Sequence, residues 1–98
     1  MKYKAKYLIT VEYDREVIKA YLDLYSPDAA RRLFKKIKNN MELVKENPYM
    51  YAAFKSRPQF RRMAAEDYLV FYKVKEDERI IEVHHILHGM MDIEQRLS

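Results

Sequence analysis

The sequence contains no cysteine, only one glycine and no long apolar run. Without cysteine, neither a disulfide nor a thiolate metal site can stabilise the fold. No apolar stretch approaches the roughly 18 residues that suggest a membrane-spanning helix. The first residues alternate lysine with apolar side chains, which argues against a secretory signal peptide. Since no glycine-rich or serine-rich linker interrupts the chain, we expect a single domain over residues 1–98. Without a signal peptide or a membrane span, its expected location is the cytoplasm. We expect no metal and no cofactor.

The residues that are present are typical of a folded domain with a mildly basic surface. Hydrophobic residues make up 49% and charged residues 35% of the chain, as in globular rather than disordered proteins. The net charge is +4, and residues 1–50 carry all of the excess, with 11 Lys/Arg against 7 Asp/Glu. This balance is compatible with a nucleic-acid or acidic-protein partner, although many domains this basic have neither.

The first half of the chain predicts one strand and two helices. Residues 2–10 alternate between lysine and apolar side chains, which indicates a half-buried strand. Ser26 and Pro27 form a start signal for the second helix, which Asn47–Pro48 ends. The apolar positions at helical spacing predict the buried faces: Tyr13, Val17, Ala20, Tyr21 and Leu24 in the first helix, and Ala30, Leu33, Phe34, Ile37, Met41 and Val44 in the second.

The second half predicts a loop followed by three strands. We expect the loop over residues 49–59, and strands over residues 60–65, 68–74 and 80–87. The middle segment is nearly all apolar, which indicates a central strand. Residues 91–97 predict one terminal helical turn. The fold class is therefore α+β in the order β-α-α-β-β-β, with a helical hairpin on one face of a mostly antiparallel four-stranded sheet.

Three local stretches resemble the RelE/ParE superfamily of bacterial type II toxins. "SPDAARRLFKKI" is similar to the start of the family's second helix, and "NPYM" to its end. "YLVFYKVKEDERIIEVHHILHGMMD" is similar to the hairpin that closes the sheet, including the H-G-x-x-D ending. The resemblance covers residues 8–97. It implies a toxin made with a cognate antitoxin, which acts either on the ribosome and mRNA, as RelE-like members do, or on DNA gyrase, as ParE-like members do.

The resemblance also implies candidate catalytic residues. Metal-independent RNA cleavage needs a base, an acid and cations that hold the phosphate. By position, Arg61 and Arg62 are the phosphate clamps. Because adjacent strand residues point to opposite faces, at most one of them can face the substrate, and Arg62 is preferred. His88, at the end of the last strand, is the acid–base candidate. The simpler interpretations are solvated strand arginines and a polar strand-end histidine bonded to the neighbouring turn.

The cluster of three histidines, residues 84, 85 and 88, does not predict a metal site. His84 and His88 share a face of a regular strand but lie about 13 Å apart, whereas zinc–nitrogen bonds are about 2.1 Å. His85 is expected on the opposite face, in the core or beside a helix. Gly89 is expected to adopt a backbone conformation that other residues find strained.

Other side chains are candidates for binding. Cations on the second helix and in the loop are predicted to bind a nucleic-acid substrate: Arg31, Arg32, Lys35, Lys55 and Arg57. Exposed aromatic and apolar residues are predicted to contact a protein partner: Tyr49 and Tyr51 in the loop, and Met90 and Met91 beyond the glycine.

Three departures from the family pattern bear on the target. Met90 and Met91 stand where many members have arginine, and Leu69 follows Tyr68 where RelE-like nucleases often have arginine. No tyrosine follows Tyr72, although these nucleases carry one near the carboxyl terminus. The leading hypothesis is a toxin that cleaves mRNA on the ribosome. The alternatives are a non-enzymatic gyrase poison and a degenerate toxin that only binds its antitoxin.

Overall fold

The computed structural model describes residues 2–97. The elements are β1 (Lys4–Tyr7), α1 (Ile9–Asp23), α2 (Ala29–Glu46), β2 (Ala53–Phe54), β3 (Arg57–Ala65), β4 (Tyr68–Lys75), β5 (Ile80–His88) and α3 (Ile93–Arg96). A short 3-10 turn, Glu76–Glu78, joins β4 to β5. Within these residues, no helix has the length and apolar content needed to cross a membrane.

The strands form one sheet in the order β1-β5-β4-β3-β2. β1 runs parallel to β5, and the other neighbours are antiparallel. This architecture confirms the α+β prediction and the central place of β4. The sheet has five strands instead of four, because part of the predicted loop pairs with β3 as the two-residue β2. β3 also begins three residues earlier than predicted, at Arg57. A two-residue strand pairs through its backbone groups, so β2 has no side-chain alternation from which the sequence could predict it.

Helix α2 buries the stripe that its sequence predicts, with Phe34 half-buried beside it. It begins at Ala29, two residues later than expected, and Ser26 Oγ accepts a hydrogen bond from the Asp28 amide at 3.4 Å in the preceding turn. The helix ends at Glu46, as the Asn47–Pro48 signal predicts.

The predicted buried face of α1 was wrong. Val11 and Ile18 are its buried residues, whereas an outer stripe is exposed by 51% to 78%: Tyr13, Val17, Tyr21 and Leu24. The buried face escapes the hydropathy pattern because Asp14 lies on it. The Asp14 carboxylate accepts a hydrogen bond from the Ile86 amide at 3.0 Å, so a polar residue occupies a position that contacts the sheet.

The sheet separates two apolar clusters. The helix-side core packs α1 and α2 against one face, and Tyr72, Val70 and Met63 are fully buried in it. On the other face, here called the open face, a smaller cluster lies under α3: Phe60, Phe71, Leu87 and Leu97. Fully burying one large apolar side chain contributes roughly 1.5–3 kcal/mol, so both clusters stabilise the sheet.

A β-bulge in β5 shifts the side-chain alternation at the histidines. Phe71 of β4 pairs with His85, but the next residue, Tyr72, pairs with Val83, so His84 has no partner on β4. A bulge of this kind inserts one extra residue and re-aims the side chains beyond it. Consequently Val83 and Ile86 both face the helix-side core. The prediction that His84 and His88 share one face of the sheet was therefore wrong.

The backbone at Gly89 also differs from expectation. Its φ is not positive, and a Cβ added there would lie 3.5 Å from the Asp67 carbonyl oxygen, an ordinary contact. The left-handed conformation occurs instead at Glu66, with φ of 56°, and at Arg79, with φ of 55°. Both residues lie in the tight turns that join the last three strands.

Candidate functional site

Arg62 and His88, the preferred catalytic pair, lie on opposite faces of the sheet. Arg62 pairs with Phe71 and therefore points to the open face, where its guanidinium lies 5.8 Å from the centre of the Phe54 ring. His88 pairs with Tyr68, whose ring belongs to the helix-side core and lies 5.2 Å from the imidazole. The sheet therefore stands between the two side chains, and their joint role in cleavage stays a prediction.

The hydrogen bonding of His88 matches its simpler interpretation. Its Nδ1 accepts a hydrogen bond from the Met90 amide at 3.1 Å, so the ring is tied to the turn that follows β5. Its role in acid–base chemistry stays a prediction.

Arg61 faces the helix side and is held by the segment after α2. Its Nη1 donates to the Tyr51 carbonyl oxygen at 2.6 Å, and its guanidinium lies 4.7 Å from the centre of the Tyr49 ring. The Tyr49 hydroxyl donates to Glu76 at 2.5 Å, and Tyr3 donates to the same carboxylate oxygen. The hydrogen bond to Glu76, with burial, raises the pKa of Tyr49 to about 12. These contacts anchor residues 49–51 to the sheet.

A set of polar groups on the open face was missed by sequence reasoning. The bulged His84 forms a hydrogen bond through Nε2 with Glu82 Oε1 at 2.8 Å, and its ring lies 5.1 Å from that of Phe60. The Lys73 ammonium lies 4.8 Å from the centre of the same Phe60 ring. We call Phe60, Arg62, Lys73, Glu82 and His84 the open-face cluster. The sequence carried one signal for this arrangement: the apolar residues Ile81, Val83 and Ile86 are spaced by two and then by three positions, which indicates a bulge between Val83 and Ile86.

The electrostatics of the open-face cluster leave His84 neutral at pH 7. Burial lowers the pKa of His84, and the hydrogen bond to Glu82 opposes this only in part. The same hydrogen bond lowers the pKa of Glu82, so the carboxylate is charged. A neutral ring that donates from Nε2 to a carboxylate keeps its lone pair on Nδ1. The cluster thus combines an oriented imidazole with two cations, Arg62 and Lys73.

The predicted nucleic-acid-binding cations are spread over separate surfaces. Arg31, Arg32 and Lys35 are exposed on α2, and Arg31 pairs with Asp28 at 2.9 Å. Lys55 is exposed in the turn between β2 and β3, and Arg57 lies 3.9 Å from a Glu94 oxygen of α3. The structure does not bring the α2 cations next to the open face.

The predicted partner-binding residues also differ in exposure. Met90 is 88% exposed and Tyr49 is 47% exposed, whereas Tyr51 packs partly against the helix-side core and Met91 against the smaller cluster. A larger apolar surface lies elsewhere. The outer face of α1 and the turn after it expose six large side chains, here called the α1 stripe: Ile9, Tyr13, Val17, Tyr21, Leu24 and Tyr25.

Next to this stripe, α1 and α2 enclose an open groove of about 1130 Å³. Its floor is apolar and its rims are charged, with Arg15 lying over the Phe34 ring at 4.7 Å. Val11, Ala30, Phe34, Ile37 and Ile86 are among the apolar groups of this interhelical groove.

Residues 7–93 match the model of the ParE toxin of the type II toxin–antitoxin system parDE. The chain belongs to the ParE toxin family. This match confirms the resemblance to the RelE/ParE superfamily of toxins. No curated protein matches its sequence.

Solved structures support the fold of the toxin. A chain of the chromosomal ParDE system from P. aeruginosa superposes with a TM-score of 0.70 at 18% identity, covering 89% of the toxin and 96% of that chain. A chain of the toxin–antitoxin complex RelBE2 from Mycobacterium tuberculosis gives a TM-score of 0.60 at 9% identity, covering 90% and 99%. At these identities the similarity shows the fold alone.

Proposed function

We propose that this toxin arrests growth by poisoning DNA gyrase without cleaving RNA, and that its cognate antitoxin neutralises it. The observation that carries this proposal is the position of Arg62 and His88 on opposite faces of the sheet. A cleavage site needs its acid–base group and its phosphate clamp within reach of one phosphodiester. The missing arginines around Tyr68 and Gly89 and the missing final tyrosine agree with a non-nuclease role.

Purified gyrase tests the proposal. The toxin is titrated into a plasmid supercoiling reaction, and the products are examined both for lost supercoiling and for protein-linked double-strand breaks. We expect inhibition near equimolar toxin, reversed when purified antitoxin is added. Full gyrase activity in a stoichiometric excess of folded toxin rejects the gyrase target.

The open-face cluster favours a second candidate, RNA cleavage by residues other than those predicted. In it, Nδ1 of His84 takes the 2′-hydroxyl proton while Glu82 orients the ring, as a carboxylate does in a hydrolase triad. The 2′-oxygen then bonds to phosphorus to give a 2′,3′-cyclic phosphate, and the leaving 5′-oxygen takes a proton from water. Arg62 and Lys73, on the same face, neutralise the phosphate. With ribosomes and a defined mRNA, His84→Gln then abolishes cutting, whereas His88→Gln retains it. Intact mRNA with the unmodified toxin excludes this candidate.

We also propose that the antitoxin covers the α1 stripe and the adjoining interhelical groove. A type II toxin has a protein partner, and the α1 stripe is a contiguous exposed row of aromatic and aliphatic side chains on one element. Contiguous exposed apolar surface of this kind marks protein interfaces. The groove beside it offers an apolar floor with charged rims, which suits an amphipathic segment of a partner.

A further inference from the structure

A separate cleft lies at the edge of the sheet, where β5 continues beyond its neighbour. β1 ends at Tyr7, which pairs with Val83, and the Leu8 amide donates to the Val83 carbonyl oxygen. Beyond that point, α1 crosses on one side of β5 and α3 lies on the other. Between them is a cleft of about 400 Å³, within the roughly 300–1,000 Å³ range of small-molecule sites.

Along this edge, two side chains of α1 form hydrogen bonds with backbone groups of β5 that β1 does not reach. The Thr10 hydroxyl donates to the His84 carbonyl oxygen at 2.5 Å, and the Asp14 carboxylate accepts from the Ile86 amide at 3.0 Å. The same Asp14 oxygen lies 3.1 Å from Nδ1 of His85, and both side chains are at least 80% buried. A carboxylate can only accept, so Nδ1 carries the hydrogen and Nε2 of His85 remains available to a ligand.

The remaining walls of the cleft supply a cation, an aromatic ring and an apolar surface. Arg96 of α3 forms no ion pair within residues 2–97, and its guanidinium fork matches the oxygens of a phosphate. Tyr13 lies at the rim with 68% of its surface exposed, and the buried Leu87 lies deeper. Aromatic side chains of this kind stack on nucleic-acid bases.

We propose that this edge cleft binds a nucleotide, with Arg96 holding its phosphate, Nε2 of His85 accepting a hydrogen bond from a ribose hydroxyl, and Tyr13 stacking on its base. Asp14 acts as a positioning residue, because it fixes the imidazole and is itself satisfied by two hydrogen bonds. The site lies outside the open-face cluster and the interhelical groove. It shares Ile9 and Tyr13 with the α1 stripe, so it is accessible in the toxin without its antitoxin. The inference does not rest on the proposed action on gyrase. The phosphate belongs either to a free mononucleotide or to the 5′ end of a nucleic-acid strand.

Nuclear magnetic resonance titration of the full-length ¹⁵N-labelled toxin tests the proposal. The probes are the four ribonucleoside 5′-monophosphates, their unphosphorylated nucleosides, and trinucleotides with and without a 5′-phosphate. We expect saturable shifts confined to the amides around Thr10, Asp14, His85 and Arg96, and binding of phosphorylated probes at least tenfold tighter. Tighter binding of the mononucleotide identifies the free nucleotide as the source, and tighter binding of the trinucleotide identifies the strand end.

Variants separate this site from general attraction of anions. Arg96→Gln is expected to raise the dissociation constant at least tenfold and Arg96→Lys less, because lysine keeps the charge but loses the fork. Tyr13→Ala is expected to weaken the binding of nucleotides but not the binding of inorganic phosphate. Lys36→Gln, which removes one exposed charge on α2, is the matched control and leaves binding unchanged. Absence of saturable shifts at these amides, equal binding of nucleosides, or equal losses in Arg96→Gln and Lys36→Gln overturns the proposal.

Discussion

At the scale of single residues, Tyr72 joins the central strand to the end of α2. Its side chain is fully buried, and its hydroxyl donates to the Pro48 carbonyl oxygen at 2.9 Å. Burial raises the pKa of Tyr72 to about 12, because the phenolate is disfavoured away from water. The unfolded chain ionises near pH 10, so the native state keeps a proton that the unfolded state releases.

This pKa difference predicts how stability changes in alkali. The contribution of Tyr72 is fully present below pH 10 and is lost as the pH rises from 10 towards 12. Tyr72→Phe is expected to cost about 1 kcal/mol at pH 7 through the lost hydrogen bond, and to flatten the alkaline slope. Urea denaturation from pH 7 to 11.5 measures both effects. Tyr25→Phe, at an exposed tyrosine, is the control, and an unchanged slope in Tyr72→Phe contradicts the assignment.

Glu66 carries a left-handed backbone conformation that favours glycine. In a residue with a side chain, this conformation costs on the order of 1 kcal/mol. Glu66→Gly relieves this strain but also makes the unfolded chain more flexible, so it is expected to raise the free energy of unfolding by no more than roughly 0.5 kcal/mol. The neighbouring Asp67 has no positive φ, so Asp67→Gly relieves no strain and is expected to lower the free energy of unfolding. The idea is rejected if both variants shift the urea midpoint in the same direction.

The sequence suggested that Gly89 has a backbone conformation only glycine tolerates, whereas the structure predicts that alanine fits there. With no positive φ and an ordinary contact for an added Cβ, Gly89→Ala meets no strain. Restricting the unfolded chain is expected to stabilise this variant by about 0.4–1 kcal/mol. A loss of more than 1 kcal/mol in urea denaturation contradicts the described backbone.

At the scale of elements, α1 carries two faces with different tasks. The inner face packs Val11 and Ile18 on the sheet and uses Asp14 to hold the edge of β5. The outer face keeps the α1 stripe exposed. Exposed apolar side chains add no stability to the folded chain. The apolar composition of the α1 stripe therefore agrees with a protein partner on that side.

Substitutions on the outer face of α1 test this division. Val17→Lys and Tyr21→Lys are expected to weaken antitoxin binding at least tenfold, about 1.4 kcal/mol each, with little change in the free energy of unfolding. Leu43→Lys provides a matched control, since Leu43 is 55% exposed on α2 outside the stripe and the groove. Isothermal titration calorimetry with purified antitoxin gives the affinities. Equal affinities for all three variants place the antitoxin elsewhere.

At the scale of the whole molecule, the sequence predicted the order of the elements but not how they present their side chains. Local periodicity was sufficient for α2, whose predicted stripe is buried, and for β4, whose apolar residues are covered on both faces of the sheet. It failed for α1, because the polar Asp14 occupies the buried face, and for β5, because a bulge at His84 changes the alternation. Those two local irregularities decide which residues share a face. The bulge moves His84 into the open-face cluster. The separation of His88 from Arg62 follows instead from the regular register in which Arg62 pairs with Phe71 and His88 with Tyr68.

The central claim, that the toxin acts without cutting RNA, is tested most directly by mapping transcript 5′ ends in cells that express it. The unmodified toxin is induced without antitoxin, and ends are sequenced before and during growth arrest. The positions of Arg62 and His88 on opposite faces predict growth arrest with no new ends that depend on translation. New ends inside translated codons, appearing with the arrest and lost in an Arg62→Ala variant that still folds, contradict the account.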